Sequence, residues 1–186
     1  MEKRYSPRGR RQRNTKSAID GYFDFRSMEV AADNSAEMYD SIIKLGEKYV
    51  KDRTALEEEY ERVEQSSLSA SDKQEILSKL EAALEELQER YTDEVISPQK
   101  NVEALIRDQI DDCQDASDDA QEQVERLHRS NSSTRYVDLG GAADAAELKK
   151  KQYDQLRKDQ IKRFEDQINQ ANHQKKTMLK PRLGHK

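Results

Sequence analysis

The stretch YERVEQSSLSASDKQ, residues 60–74, decides the fold. To its left the chain is glutamate-rich and periodic. In its middle, Ser66, Ser67, Ser69 and Ser71 interrupt the period, and to its right the period resumes. Ser71 followed three residues later by Gln74 reads as a capping box, a pair of reciprocal bonds that starts a helix. So short a break between two amphipathic helices folds the second back along the first. Residues 28–129 therefore read as one long antiparallel helical hairpin.

The spacing on either side supports this. Before the break Met38, Ile42, Leu45, Tyr49, Leu56, Tyr60 and Val63 follow steps of 4, 3, 4, 7, 4 and 3. Such steps form the a/d seam of a coiled coil, because a period near 3.5 keeps one stripe on a partner. The long step passes over Asp52 and Arg53, a polar interruption. After the break Leu77, Leu80, Leu84, Leu87 and Tyr91 repeat the pattern. Antiparallel pairing sets Ile42, Leu45, Tyr49 and Leu56 as the helix–helix interface with Leu80, Leu84, Leu87 and Tyr91. Ser97 and Pro98 predict a kink or brief restart, since proline lacks the amide a helix interior needs. The stripe then continues through Val102, Leu105, Ile106, Ile110, Cys113, Ala116, Ala120, Val124 and Leu127.

Further out, residues 130–143 are polar, contain Gly140 and Gly141, and read as a loop. Asp144 can cap a third helix over 144–178, with Leu148, Tyr153, Leu156, Ile161, Phe164, Ile168 and Ala171 as its stripe. Residues 1–27 have charge, Pro and Gly but no apolar period, and read as a disordered basic tail. Within it Tyr22, Phe23 and Phe25 form an aromatic knot expected to anchor on the helices. Residues 179–186 form a second basic tail. The first two helices would measure ~55 Å and ~90 Å at ~1.5 Å per residue, whereas a compact domain of this length has a radius of gyration of only ~16 Å. The expected fold is all-α, an elongated antiparallel hairpin or coiled coil with a third helix and disordered basic termini.

Composition agrees. The 186 residues are 38% charged and 33% hydrophobic, too little apolar material for a layered globular core. Six Gly and three Pro argue against a loop-rich or all-β chain. Residues 1–16 carry a net +6 and residues 175–186 a net +5, so the formal total of −5 leaves −16 on residues 17–174. This is an acidic rod with basic ends.

Patterns that carry chemistry are missing from the sequence. His128, His173 and His185 are scattered without zinc-ligand spacing. Gly140 and Gly141 lack the Lys and Ser/Thr of a phosphate loop. The DDCQDASDD run, 111–119, has no glycine turn for an EF-hand and reads as a solvated face. Cys113, the single cysteine, reads as a buried structural thiol rather than a link between copies. The expectation is a protein that is no enzyme and takes no cofactor, metal or small-molecule substrate. No apolar run is long enough for a membrane span, and the N-terminus has no Sec-type apolar region. Its expected place is the cytoplasm, with any export by a non-Sec route.

Two families enter by resemblance. Tyr60 and Glu64 match the Tyr-x-x-x-Asp/Glu export signal of small helical-hairpin substrates and accessory partners in bacterial type VII secretion. The helix–break–helix order of residues 29–96 is similar to those hairpins, although this chain has no Trp-x-Gly turn. The resemblance implies an accessory partner that binds the helical N-terminal domain of a secreted client. Tyr60 is also a seam residue, so a purely structural reading of the pair stands beside the address. In composition and layout the chain looks like phage scaffolding proteins, which implies an assembly scaffold that self-associates. A third reading takes Arg8, Arg10, Arg11 and Arg13 as a nucleic-acid patch, against which the acidic rod repels phosphate.

Overall fold

The computed structural model describes residues 18–131 and 140–181. The N-terminal tail with Arg8, Arg10, Arg11 and Arg13, most of the 130–143 loop and residues 182–186 lie outside them. Every regular element among the described residues is helical: α1 (Ala18–Gln65), α2 (Ala70–Tyr91), a π-helical turn (Thr92–Ile96), α3 (Ser97–Asn131) and α4 (Gly140–Met178). The fold is all-α. α1 and α2 form the hairpin, α3 carries the second strand of it onward, and α4 returns along α3, parallel to α1.

Element boundaries depart from the expectation in four places. α1 begins at Ala18, so residues 18–27 belong to the helix and not to a tail. Its early turns are held by Phe25, whose ring meets Tyr153 of α4 edge-on at 5.5 Å, a contact that apolar spacing within α1 alone does not reveal. The cap of α2 is Ser69, not Ser71: its Oγ accepts from the Asp72 amide at 3.2 Å. Asp72 supplies the acidic first-turn residue that favours this start. α4 starts at Gly140 rather than Asp144.

The fourth departure is at Pro98, where the helix continues without a break. Pro98 cannot donate to the carbonyl four residues back, and its ring crowds that carbonyl. The preceding turn widens to a π turn, in which the Ser97 amide and its Oγ (3.2 Å) both reach the Thr92 carbonyl. The chain is thus helical from Ala70 to Asn131.

The buried face of α1 is centred one residue away from the expected seam. Met38 is 52% exposed, whereas Tyr39 is fully buried. A seam for one partner would centre on Met38 and Ile42, but α1 packs on two. Its central heptad column is therefore Ala32, Tyr39, Gly46, Arg53 and Tyr60. One flanking column, Ser35, Ile42, Tyr49, Leu56 and Val63, turns to α2 and α3: Ser35 donates to Gln109 at 2.6 Å, and the Tyr49 and Tyr91 rings meet at 5.8 Å. The other flank, Ala36, Ile43 and Val50, lies under α4.

α4 answers with two columns of its own. Phe164, Ala171 and Met178 enter the apolar core with Tyr39, Ile43, Val102 and Ile106, and with Tyr49, Tyr91, Val95 and Ile96. Gln160, Gln167 and Gln174 stand seven residues apart beside them. Gln167 donates to the Ala36 carbonyl at 2.9 Å, and Gln174 donates to the Ile43 carbonyl at 2.8 Å. Gln160 accepts from the Cys113 thiol at 3.3 Å. Leu148, expected in the stripe, is 59% exposed.

Gly46 makes room for this ladder. A β-carbon there would lie 2.1 Å from Gln174 Oε1. Gly46→Ala should gain up to ~1 kcal/mol of helix propensity but displace a buried, hydrogen-bonded amide at a larger cost, for a net loss of ~1–2 kcal/mol. In a Gln174→Ala background the same change should stabilise by ~0.5–1 kcal/mol. Denaturant titrations of the four chains check the reversal of sign.

The α3–α4 contact also carries a pH dependence. Ser117 Oγ donates to Asp154 at 2.5 Å, and Lys150 Nζ does so at 2.9 Å. Together they hold the Asp154 carboxyl below the usual carboxylate range. A depressed folded-state pKa gives stability that is present above the unfolded value, near ~4, and is lost as pH falls through the folded one. Melting temperatures should therefore fall below about pH 4, and Asp154→Asn should flatten that part of the decline relative to the plateau.

Candidate interaction surface: the two-helix arm

α4 stops short of the hairpin tip, and its end is built from side chains of α1. Met178 is fully buried against Tyr49, Tyr91, Val95 and Ile96. Arg53, the polar interruption in the α1 seam, is buried here. Its Nη1 donates to the Met178 carbonyl, and its Nη2 donates to the Lys180 carbonyl at 3.2 Å. Its Nε pairs with Glu57 at 2.7 Å. The last carbonyls of a helix lack intrahelical donors and carry partial negative charge. A guanidinium with five donors in a rigid fork suits them and fixes where α4 ends.

Among the described residues only two helices continue beyond Arg53. α1 from Thr54 to Gln65 and α2 from Ala70 to Arg90 form an arm whose turn is closed by local bonds. Ser66 Oγ donates to the Val63 carbonyl at 2.7 Å, and Lys73 Nζ donates to the Glu64 carbonyl at 3.0 Å. In the arm Val63 alone is buried; Leu56, Tyr60, Leu77, Leu80, Leu84 and Leu87 are half-buried. Two helices cannot enclose a stripe that three enclose elsewhere.

The expected interface residues divide accordingly. Ile42, Leu45, Tyr49, Leu87 and Tyr91 meet in one cluster at the base of the arm. Leu56, Leu80 and Leu84 lie further out, half-covered. Tyr49 Oη donates to Glu94 of the π turn at 2.5 Å, and the Arg90 guanidinium stands 6.0 Å from the Tyr49 ring centre. Burial first, and then this bond to Glu94, raise the Tyr49 phenol above its ordinary range.

Tyr60 and Glu64 both lie on the arm. Tyr60 is half-buried and donates its phenol to Glu81 of α2 at 3.3 Å; Glu64 is exposed. The ring is thus a seam residue, and its hydroxyl bridges the hairpin.

Other places offer less. Cys113 is buried, and desolvation, then the nearby Asp112, push its thiol up to about 11. It is protonated near neutrality and does not reach the surface. An open groove of about 570 Å³ between α3 and α4 is lined by Val124, Gln121 and mostly charged side chains, with His128 3.9 Å from Glu147. Among the described residues no three His, Cys, Asp or Glu side chains are placed to hold a metal ion. None of the described helices is long and apolar enough to cross a membrane.

Comparison adds no relatives: no family model, no curated protein and no solved structure matches this chain.

Arg53, Gln167 and Gln174 are not legible from apolar spacing, whereas Met178 lies one heptad past Ala171. The seven-residue recurrence of glutamine from Gln160 was the available signal. Arg53→Ala should cost ~2–3 kcal/mol by stripping donors from buried carbonyls. Hydrogen exchange should quicken in the last turn of α4 before the rest of the bundle. Unchanged exchange there would show that Met178 alone holds the end.

Proposed function

We propose that this chain is a non-enzymatic accessory protein whose arm binds a helix of a client protein. The observation that carries this reading is the end of α4 at Met178, which leaves the leucines of the arm half-covered where a third helix packs elsewhere. Covering such a stripe removes apolar area from water at ~25 cal/mol per Å². The short hairpin with Tyr60 and Glu64 on that arm supports the specific version suggested by resemblance: an accessory partner in type VII secretion, acting in the cytoplasm before non-Sec export of its client.

The test is co-purification with the helical N-terminal domain of a secreted toxin encoded beside the gene. Leu80→Asp combined with Leu84→Asp should abolish co-purification while circular dichroism still reports the α1–α3–α4 bundle, whose core clusters contain neither leucine. Tyr60→Phe and Glu64→Gln should melt like the parent chain, because a half-buried phenol hydroxyl and an exposed carboxylate each contribute about 1 kcal/mol or less. Both should still bind, as expected of a seam residue and its neighbour. Client export measured on those two variants separates the pair's roles: loss with intact melting marks an address, and normal export marks a structural pair. Unchanged co-purification of a folded Leu80/Leu84 variant would overturn the proposal.

A further inference from the structure

We infer that the arm selects its partner by charge: the unfilled third-helix position takes a basic amphipathic helix of another protein. This rests on the helix-binding reading above and adds the chemistry of the partner.

The α1 column that lies under α4 runs Ala36, Ile43 and Val50, and its next two members are Glu57 and Glu64. The change from apolar to carboxylate falls where α4 ends. The central column passes from Arg53, which caps α4, to Tyr60, and Tyr60 points its phenol across to Glu81 of α2. A helix continuing the path of α4 would therefore lie on Leu56, Tyr60 and the α2 leucines, flanked by Glu57, Glu64 and Glu81. Residues 54–90 together hold eleven carboxylates against four basic side chains, a net −7. A neutral helix would cover part of this net −7 surface and bring no charge of its own, even though Glu57 keeps its pairing with Arg53 and Glu81 its bond from Tyr60. Lysine and arginine can lay their aliphatic stems on the stripe and bring their charges to the glutamates.

The basic residues of 1–17 and 182–186 fit poorly. The basic N-terminal residues join the bundle at Ala18. Tyr60 lies ~63 Å from there along α1, beyond the ~58 Å that residues 1–17 span when fully extended. Residues 182–186 follow Pro181 and include Gly184, both of which disfavour a helix there. A second copy would bring an equally acidic arm.

The experiment titrates the full-length chain with three labelled synthetic helices of about 18 residues, long enough to be helical when bound. All carry leucine at the a and d positions; the others are lysine in one peptide, glutamine in the second and glutamate in the third. Fluorescence anisotropy at low and moderate salt should show the lysine peptide binding at least about tenfold more tightly than the glutamine one, a preference that shrinks as salt rises. Glu64→Lys with Glu81→Lys should remove that preference. Asp111→Lys with Asp118→Lys, the same charge change on an exposed face of α3, should preserve it. If the two double variants weaken lysine-peptide binding equally, the attraction is general and the inference is overturned. Equal binding of the lysine and glutamine peptides to the parent chain overturns the charge selection and leaves helix binding standing, whereas binding of none removes both. A parent dimer in sedimentation equilibrium that Leu80→Glu disperses assigns the surface to a second copy, which also overturns it.

Discussion

Gln167 and Gln174 donate to the carbonyls of Ala36 and Ile43, one heptad apart on both helices. These bonds help set how far α4 is slid along α1. The two helices are parallel and are not consecutive in the chain, so no short turn fixes their register, and a purely apolar seam slips by a heptad at modest cost. The amides alone would not prevent that slip, since Gln160, Gln167 and Gln174 recur every seven residues; Gly46, which leaves room for Gln174, and Arg53 at the Met178 carbonyl single out one register. In that register Phe25 meets Tyr153 and Tyr39 meets Phe164.

The hairpin could be read from the sequence because its evidence is local. A serine-rich break, a restart and two leucine-type seams are each visible within a few turns. The third helix is visible as a helix but not as a partner of α1, because apolar spacing marks Phe164 and Ala171 as inward without saying which helix they meet, and the glutamines that reach α1 carbonyls are polar. Arg53 looked like an interruption because a buried guanidinium is legible only when the carbonyls it serves are known. A stripe drawn for one neighbour centres on Met38, and it shifts to Tyr39 when a second neighbour is added. The leucines of the arm were found at the right spacing, yet spacing does not tell full cover from half. That difference depends on where another helix stops.

Two kinds of order therefore share one rod. Between Phe25 and Arg53 three helices bury aromatic rings and satisfy most interior polar groups, although Gln167 Oε1, Tyr91 Oη and Arg157 Nε remain without partners. Beyond Arg53 the arm has half-covered leucines and a high density of carboxylates, both of which favour local opening over that of the core. The burial of Cys113 belongs to the first kind. The exposure of Glu64 belongs to the second.

The π turn at Thr92–Ile96 has a mechanical consequence. From Leu87 the inward positions run through Tyr91, Val95 and Gln99 in three successive steps of four, where a heptad would alternate four and three. The turn absorbs the surplus residue, and the inward face stays in phase from a stretch with one neighbour to a stretch with two. A loop or a sharp bend at Pro98 would have made a hinge. An unbroken helix of about 90 Å instead makes the arm a lever. Load applied at its tip passes through Tyr91 to Met178 and the end of α4, where Arg53 holds the last carbonyls.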